Sequence, residues 1–93
     1  MTKTLSTEVK IQNVRGLHAR ATANFVKVAD SFRSEIFVTN KDGLRVSGKS
    51  IMGLLMLGAP LGSILTLEAV GNDAEKALKA LTELIDEKFG EAV

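Results

Sequence analysis

Residues 35–47, EIFVTNKDGLRVS, decide the fold class because they have the pattern of a β-hairpin. Residues 35–40 are rich in β-branched and aromatic side chains, which is typical of a strand. Lys41-Asp42-Gly43 follows, and the Asp-Gly pair is a strong signal for a tight turn. Residues 44–47 form the second arm, so the sequence predicts two antiparallel strands joined by a short turn.

Before the hairpin, the spacing of the hydrophobic residues changes from that of a strand to that of a helix. Val9 and Ile11 alternate with polar neighbours, which predicts a first strand, and residues 13–16 are expected to form a loop. The helical spacing begins near Ala19, and one face of this predicted helix carries Thr22, Phe25, Val26, Ala29 and Phe32.

After the hairpin, the sequence predicts a short helix, a strand and a longer helix. Ser50 is a good N-cap for an apolar segment that Gly58 and Pro60 end. Residues 65–70 alternate as a fourth strand. Gly71-Asn72-Asp73 is predicted to cap the last helix, whose buried stripe comprises Ala74, Ala77, Leu78, Leu81, Leu84 or Ile85, and Phe89.

The resulting order of elements is βαββαβα. Strands and helices in this proportion predict an open-faced β-sandwich of the α+β class. We therefore expect residues 1–93 to form a single domain, in which three helices cover one face of a four-stranded antiparallel sheet. A core of this size is adequate without disulfides.

Composition excludes several classes of function. The chain has no cysteine, so disulfides, zinc–thiolate sites and cysteine nucleophiles are ruled out. Its basic residues are scattered, its net charge is +1, and it has four Phe but neither Trp nor Tyr, so we expect no nucleic-acid binding. Residues 1–7 lack the apolar region of a secretory signal, and residues 51–65 are too broken to span a membrane. We expect a cytoplasmic protein that does not insert into membranes.

His18 is the candidate reactive residue, because it lies where the loop enters the first helix, in Gly16-Leu17-His18-Ala19-Arg20. The N–H groups of a helix's first turn and its dipole favour an anion, and a neutral imidazole nitrogen is nucleophilic near neutral pH. Arg15 and Arg20 are close enough in sequence to neutralise phosphate oxygens, while Gly16 permits a tight backbone geometry and the close approach of a ligand. These residues leave open a second interpretation, in which His18 is only a surface or capping residue.

A resemblance favours the reactive role. Residues 16–23 resemble the active-site signature of HPr, the histidine-containing phosphocarrier of the phosphotransferase system. Residues 49–55 resemble the regulatory serine region of that family, and residues 71–75 resemble the turn into its last helix. The resemblance implies that His18 receives a phosphoryl group on Nδ1, that Arg20 assists, and that Gly16, Leu17, Ala19 and Arg15 form the phosphate cradle.

The resemblance also implies the partners. Enzyme I is expected to donate the phosphoryl group and an enzyme IIA-type protein to accept it. No metal and no cofactor is expected, and the chain is expected to be a carrier and not a catalyst. A monomer suits this role, since a carrier must leave each partner quickly.

One residue departs from the family pattern. The family usually has proline after the active-site arginine, where this chain has Ala21. Alanine keeps the backbone N–H and is a good helix former, so we expect the site to survive. The change points to a regulatory branch such as the nitrogen-related phosphotransferase system of alphaproteobacterial type. The alternative function is therefore a regulatory binding module of nitrogen or carbon signalling that acts by docking.

Residues 43–50 match the P-loop pattern G-x-x-x-x-G-K-S, but the predicted context argues against a nucleotide site. A P-loop follows a strand of a parallel sheet, whereas residues 44–47 are predicted to lie in a hairpin. Ser50 is better interpreted as a helix cap. The resemblance implies that HPr kinase/phosphorylase phosphorylates it, and the alternative is a cap without a regulatory role.

The second predicted helix is apolar nearly all round, which suggests an exposed docking patch. Methionine suits a surface that accepts several partners. The resemblance places docking on this helix and on the first one, and the favoured contacts are Ile51, Met52, Leu55 and Ala23. The alternative for each of the residues on the second helix is burial in the core.

Overall fold

The computed structural model describes residues 3–93. Its strands are β1 (Thr4–Lys10), β2 (Glu35–Thr39), β3 (Arg45–Ser47) and β4 (Ile64–Val70). Its helices are α1 (Ala19–Asp30), α2 (Ile51–Met56) and α3 (Ala74–Asp86), and a 3₁₀ turn follows at Lys88–Gly90. The predicted order of strands and helices is confirmed. None of the helices in residues 3–93 has the length and apolar character needed to cross a membrane.

The four strands form one antiparallel sheet in the order β1-β4-β2-β3. β4 therefore lies between the first and second strands, where Leu65 pairs with Val9 and Leu67 with Val38. Along β4, buried residues alternate with residues that are half-exposed or exposed, as expected for a sheet with one covered face. The open-faced α+β architecture is thus as predicted.

The core lies between this covered face and the helices. Phe25 of α1 and Leu81 of α3 are almost fully buried, together with Ile36 and Leu67 of the sheet. Several alanines on the helices are also completely buried, at positions 21, 29, 74 and 77. Because alanine is small, the helix backbones can approach the sheet and one another closely at these positions.

The hairpin is as predicted, but its turn is longer than a two-residue loop. The side chain of Asn40 accepts hydrogen bonds from the N–H groups of Asp42 (3.0 Å) and Leu44 (2.9 Å). Gly43 has a φ of +89°, which glycine adopts without strain. Leu44 belongs to this turn, so β3 is one residue shorter than expected at its start.

Two predicted helix faces extend too far. α1 ends at Asp30, so Phe32 lies beyond the helix, although its side chain still packs against the core. α3 ends at Asp86, and Phe89 is buried from the following turn and not from the helix stripe. In both cases hydrophobic spacing continued past the last helical hydrogen bond, because the chain can bury a side chain without being helical.

Asp73 precedes α3 as predicted, but its side chain does not cap that helix. Its carboxylate instead accepts hydrogen bonds from the N–H groups of Arg33 and Ser34, both at 2.9 Å, and from the Ser34 hydroxyl. These hydrogen bonds, that of the Ser34 hydroxyl above all, hold the pKa of Asp73 below its ordinary value. Asp73 therefore links the start of α3 to the start of β2.

Candidate functional site

The loop before α1 is shaped by its contact with residues 59–60. Leu17 donates its N–H to the carbonyl of Ala59 at 2.9 Å. Gly16 has a φ of +66°, and a Cβ at this position would lie 2.5 Å from the same carbonyl oxygen. Both facts require glycine at this position, and the group that approaches its backbone closely is the carbonyl of Ala59. The close approach of a ligand to Gly16 stays a prediction.

His18 is the N-cap residue of α1, with an extended backbone at φ −84° and ψ −178°. Its Nδ1 accepts a hydrogen bond from the N–H of Arg20 at 3.3 Å. Its Nε2 is hydrogen-bonded to the carboxylate of Glu91, and the side chain is 22% exposed. This pattern places the ring proton on Nε2 and the lone pair on Nδ1, where it accepts the N–H of Arg20 at the positive end of the helix.

Glu91 reaches His18 because the chain reverses after α3. Lys88, Phe89 and Gly90 all have positive φ, at +59°, +56° and +82°. Phe89 is buried, and the N–H of Val14 donates to the carbonyl of Val93 at 3.1 Å. The end of the described chain is therefore fastened on both sides of Glu91.

Asn13 fixes the second oxygen of that carboxylate. Its Nδ2 donates to Glu91 Oε1 at 3.0 Å and to the carbonyl of Gly16 at 2.7 Å, and the residue is completely buried. Burial raises the pKa of the Glu91 carboxyl, but the hydrogen bonds from Asn13 and His18 outweigh it, helped by the positive charge of Arg15. The net pKa lies below the ordinary value, so Glu91 is an anion at neutral pH.

Arg15 and Arg20 line the same open groove, of about 480 Å³, next to Glu91. Both arginines are exposed. A guanidinium group can donate two parallel hydrogen bonds to phosphate oxygens. The groove therefore holds two exposed positive charges beside Glu91, the carboxylate that contacts His18.

The predicted cradle needs one correction. The N–H of Gly16 donates to the carbonyl of Asn13 at 3.1 Å, and that of Leu17 to Ala59. The backbones of Gly16 and Leu17 are thus committed to the loop and hold it in place, with no free donor for a phosphate. Ala19 lies exposed at the first turn of α1, where the helix dipole favours an anion.

Ser50 caps α2, and its hydroxyl accepts the N–H of Gly53 at 3.0 Å. The predicted exposure of Ile51, Met52 and Leu55 is observed, at 45%, 70% and 38%. Met56 is also exposed, whereas Leu54 and Leu57 are buried in the core. Ala23 of α1 is exposed as well.

The P-loop pattern does not form a phosphate-binding loop. Gly48 is buried, and a Cβ there would lie 2.5 Å from Ile36. Lys49 donates its ammonium group to the carbonyl of Phe32 at 2.9 Å. Since Lys49 is bound to the backbone and residues 45–47 form a strand, the nucleotide interpretation is wrong on geometry.

Two residues of the site escaped sequence reasoning. Glu91 is 73 positions from His18, and Asn13 was assigned only to a loop. No periodicity links either of them to the histidine. The available signal was a polar Glu that follows Phe89-Gly90 at the point where the helical pattern fails.

The family model described as "PTS HPr component phosphorylation site" matches residues 5–87. The chain is 49% identical to a phosphocarrier protein HPr of Neisseria meningitidis, over 94% of the chain and 97% of that protein. It is 42% identical to a phosphocarrier protein NPr of Shewanella violacea, over 99% of each. A crystal structure of HPr from Thermoanaerobacter tengcongensis superposes with a TM-score of 0.90, at 46% identity over 96% of this chain and 99% of that one.

Proposed function

The chain belongs to the HPr family of the phosphotransferase system, and on that premise we propose that it carries a phosphoryl group on Nδ1 of His18. One observation carries the proposal: the lone pair of Nδ1 faces the first turn of α1 while Nε2 is held by Glu91. The residue is the sole histidine of the sequence. A neutral imidazole with its lone pair at a positive helix end is suited to attack phosphorus.

The arginines supply the charge compensation. The phosphoryl group arrives and leaves as an anion, and in-line transfer depends on positioning and on neutralising its oxygens. Arg15 and Arg20 line the groove beside His18 and are free to turn toward such a group. The carrier thus supplies a nucleophile and a positive groove, and its partners supply the rest of the transfer site.

The partners follow from the family. Enzyme I is the proposed donor and an enzyme IIA-type protein the proposed acceptor. The exposed side chains Ile51, Met52 and Leu55 on α2, with Ala23 on α1, are the proposed docking surface. An exposed apolar patch on a short helix suits a complex that forms and separates within each transfer cycle.

Ser50 is the proposed regulatory site, with HPr kinase/phosphorylase as the proposed enzyme. A phosphoryl group adds close to two negative charges, which the start of a helix tolerates. The same charge would stand beside Ile51 and Met52 and would have to be desolvated on docking. Phosphorylation of Ser50 is therefore expected to weaken docking while leaving His18 intact.

The experiment is phosphorylation with phosphoenolpyruvate and enzyme I. The wild-type chain should gain one acid-labile, base-stable phosphate, and His18→Ala should gain none. The control variant is Arg33→Ala. It removes an exposed arginine that does not line the groove, and enzyme I should phosphorylate this variant at the wild-type rate. A wild-type chain that gains no phosphate from an active donor would favour a regulatory module that acts by docking, the alternative suggested by Ala21.

A further inference from the structure

We propose that Glu91 is a positioning residue for phosphoryl acceptance, an inference that rests on the proposed carrier function. Its carboxylate accepts the Nε2–H of His18, and Nδ1 accepts the N–H of Arg20 at 3.3 Å. The imidazole is therefore held between a fixed acceptor and a fixed donor. Only the tautomer with its proton on Nε2 satisfies both neighbours, and this is the tautomer whose Nδ1 can attack phosphorus.

The site requires a carboxylate in particular. One oxygen of Glu91 faces the Nδ2 of Asn13 at 3.0 Å, and the other faces Nε2 of His18. The amide of Asn13 cannot turn over, because its Nδ2 also donates to the carbonyl of Gly16 at 2.7 Å. The Glu91 side chain thus faces two hydrogen-bond donors. A side chain of this length can accept from both only if each of its two terminal atoms is an acceptor, as in a carboxylate.

The carboxylate also compensates the change in the charge of the imidazole during phosphoryl transfer. The lone pair of Nδ1 forms the bond to phosphorus while the bond from phosphorus to the donor breaks, and that electron pair leaves with the donor. The ring keeps its Nε2–H and gains a positive charge, and no proton moves. Glu91 lies against this Nε2–H and compensates the new charge, as a buried carboxylate does beside an imidazolium. In the onward transfer the electron pair returns to Nδ1 and the ring becomes neutral again.

The fold holds Glu91 in place from both sides. Before it, Phe89 is buried in the core, in a left-handed backbone conformation that costs a non-glycine residue free energy. After it, the carbonyl of Val93 accepts the N–H of Val14. The left-handed turn and the two anchors lie on either side of Glu91 and place its carboxylate against Nε2 of His18.

The test compares Glu91→Gln with Glu87→Gln, its matched control. Glu87 is exposed in the same segment. Glutamine at 91 has the same shape but one acceptor, so it cannot satisfy both Asn13 and His18.

In ¹⁵N spectra of the unphosphorylated protein, the wild type and E87Q should show a protonated Nε2 and an unprotonated Nδ1. E91Q should lose this pure state, and enzyme I should phosphorylate it about 10- to 100-fold more slowly, the loss expected for one charge-assisted hydrogen bond. Glu91→Ala should behave like E91Q, and thermal unfolding shows which variants are folded.

Each outcome of this experiment bears either on the role of Glu91 or on the carrier function. Slower transfer with an altered tautomer in folded E91Q or E91A supports the proposal. An unchanged tautomer, or an altered tautomer with transfer at the E87Q rate, overturns it. Should the wild-type chain gain no phosphate at all, the proposed carrier function fails instead. The two failures are distinguishable because the ¹⁵N spectra are recorded without phosphoryl transfer.

Discussion

At the scale of single residues, the site depends on groups whose neighbours fix them. Gly16, His18 and Arg20 were predictable, because a glycine, a histidine and an arginine at a loop-to-helix junction have a chemical meaning in sequence alone. Glu91 and Asn13 were not, since their roles arise from contacts with residues distant in sequence or from burial. The sequence thus predicts the proposed nucleophile and the arginines near it, whereas the side chains that contact the imidazole and its carboxylate partner depend on the folded chain.

Gly16 offers a test at this scale. Gly16→Ala must adopt a positive φ and must push its Cβ against the carbonyl of Ala59. We expect the free energy of unfolding to fall by about 2 kcal/mol or more, from the left-handed conformation and the close contact together. Urea denaturation measures it. Gly43→Ala is the control, because Gly43 also has a positive φ but faces open space, so its loss should be about 1 kcal/mol. Equal losses would show that the contact with Ala59 has no energetic weight.

At the scale of elements, the sequence predicted which segments are strands and helices but missed where several of them end. The alternation in β4 and the amphipathic faces of α1 and α3 follow from periodicity, which depends on the residues themselves. The ends depend on partners. Asp73 resembles a helix cap in sequence, yet its carboxylate binds the start of β2, because Ser34 and the backbone around it offer three donors.

The Asp73 link should make stability depend on pH. The pKa of Asp73 is lowered in the folded protein, so its carboxylate stabilises the fold above the pKa of the unfolded chain. That contribution is lost as the pH falls through the folded value, below about 4, the ordinary range of an aspartate. We expect Asp73→Asn to lower the urea midpoint at pH 7 and to differ least from the wild type in strong acid.

The control for this link is Asp42→Asn, an exposed position in the hairpin turn. Urea midpoints measured from neutral to acid pH should be nearly the same for this variant and for the wild type. A deficit in Asp73→Asn that stays constant across the whole pH range would contradict an ionic contribution and would indicate a purely steric one.

At the scale of the whole molecule, the sheet supports the two regions to which a function is proposed, and helices present both to solvent. His18 at the start of α1 and the exposed face of α2 are far apart in sequence, yet α1 and α2 are in contact in the fold. Element order and the one-sided sheet were predictable because hydrophobic alternation determines which face is covered. The left-handed turn at residues 88–90 was not, since no local preference favours Lys and Phe at positive φ. Only the anchoring of Phe89 in the core accounts for it.

If His18 carries the phosphoryl group and α2 carries the docking surface, a substitution on α2 should weaken docking without changing the rate of phosphoryl transfer. Met52 is 70% exposed on α2 and has no part in the groove at His18. Met52→Glu should raise the KM for this chain in the enzyme I reaction about tenfold, the effect of losing about 1.4 kcal/mol of docking free energy. Its kcat and thermal stability should stay near those of the wild type.

The control is Ile64→Glu, which places the same charge at a 42% exposed position on the uncovered face of the sheet. A matching rise in KM for Ile64→Glu would mean that added negative charge, and not the α2 surface, governs docking. A fall in kcat for Met52→Glu with unchanged KM would place α2 in the chemical step and overturn the separation.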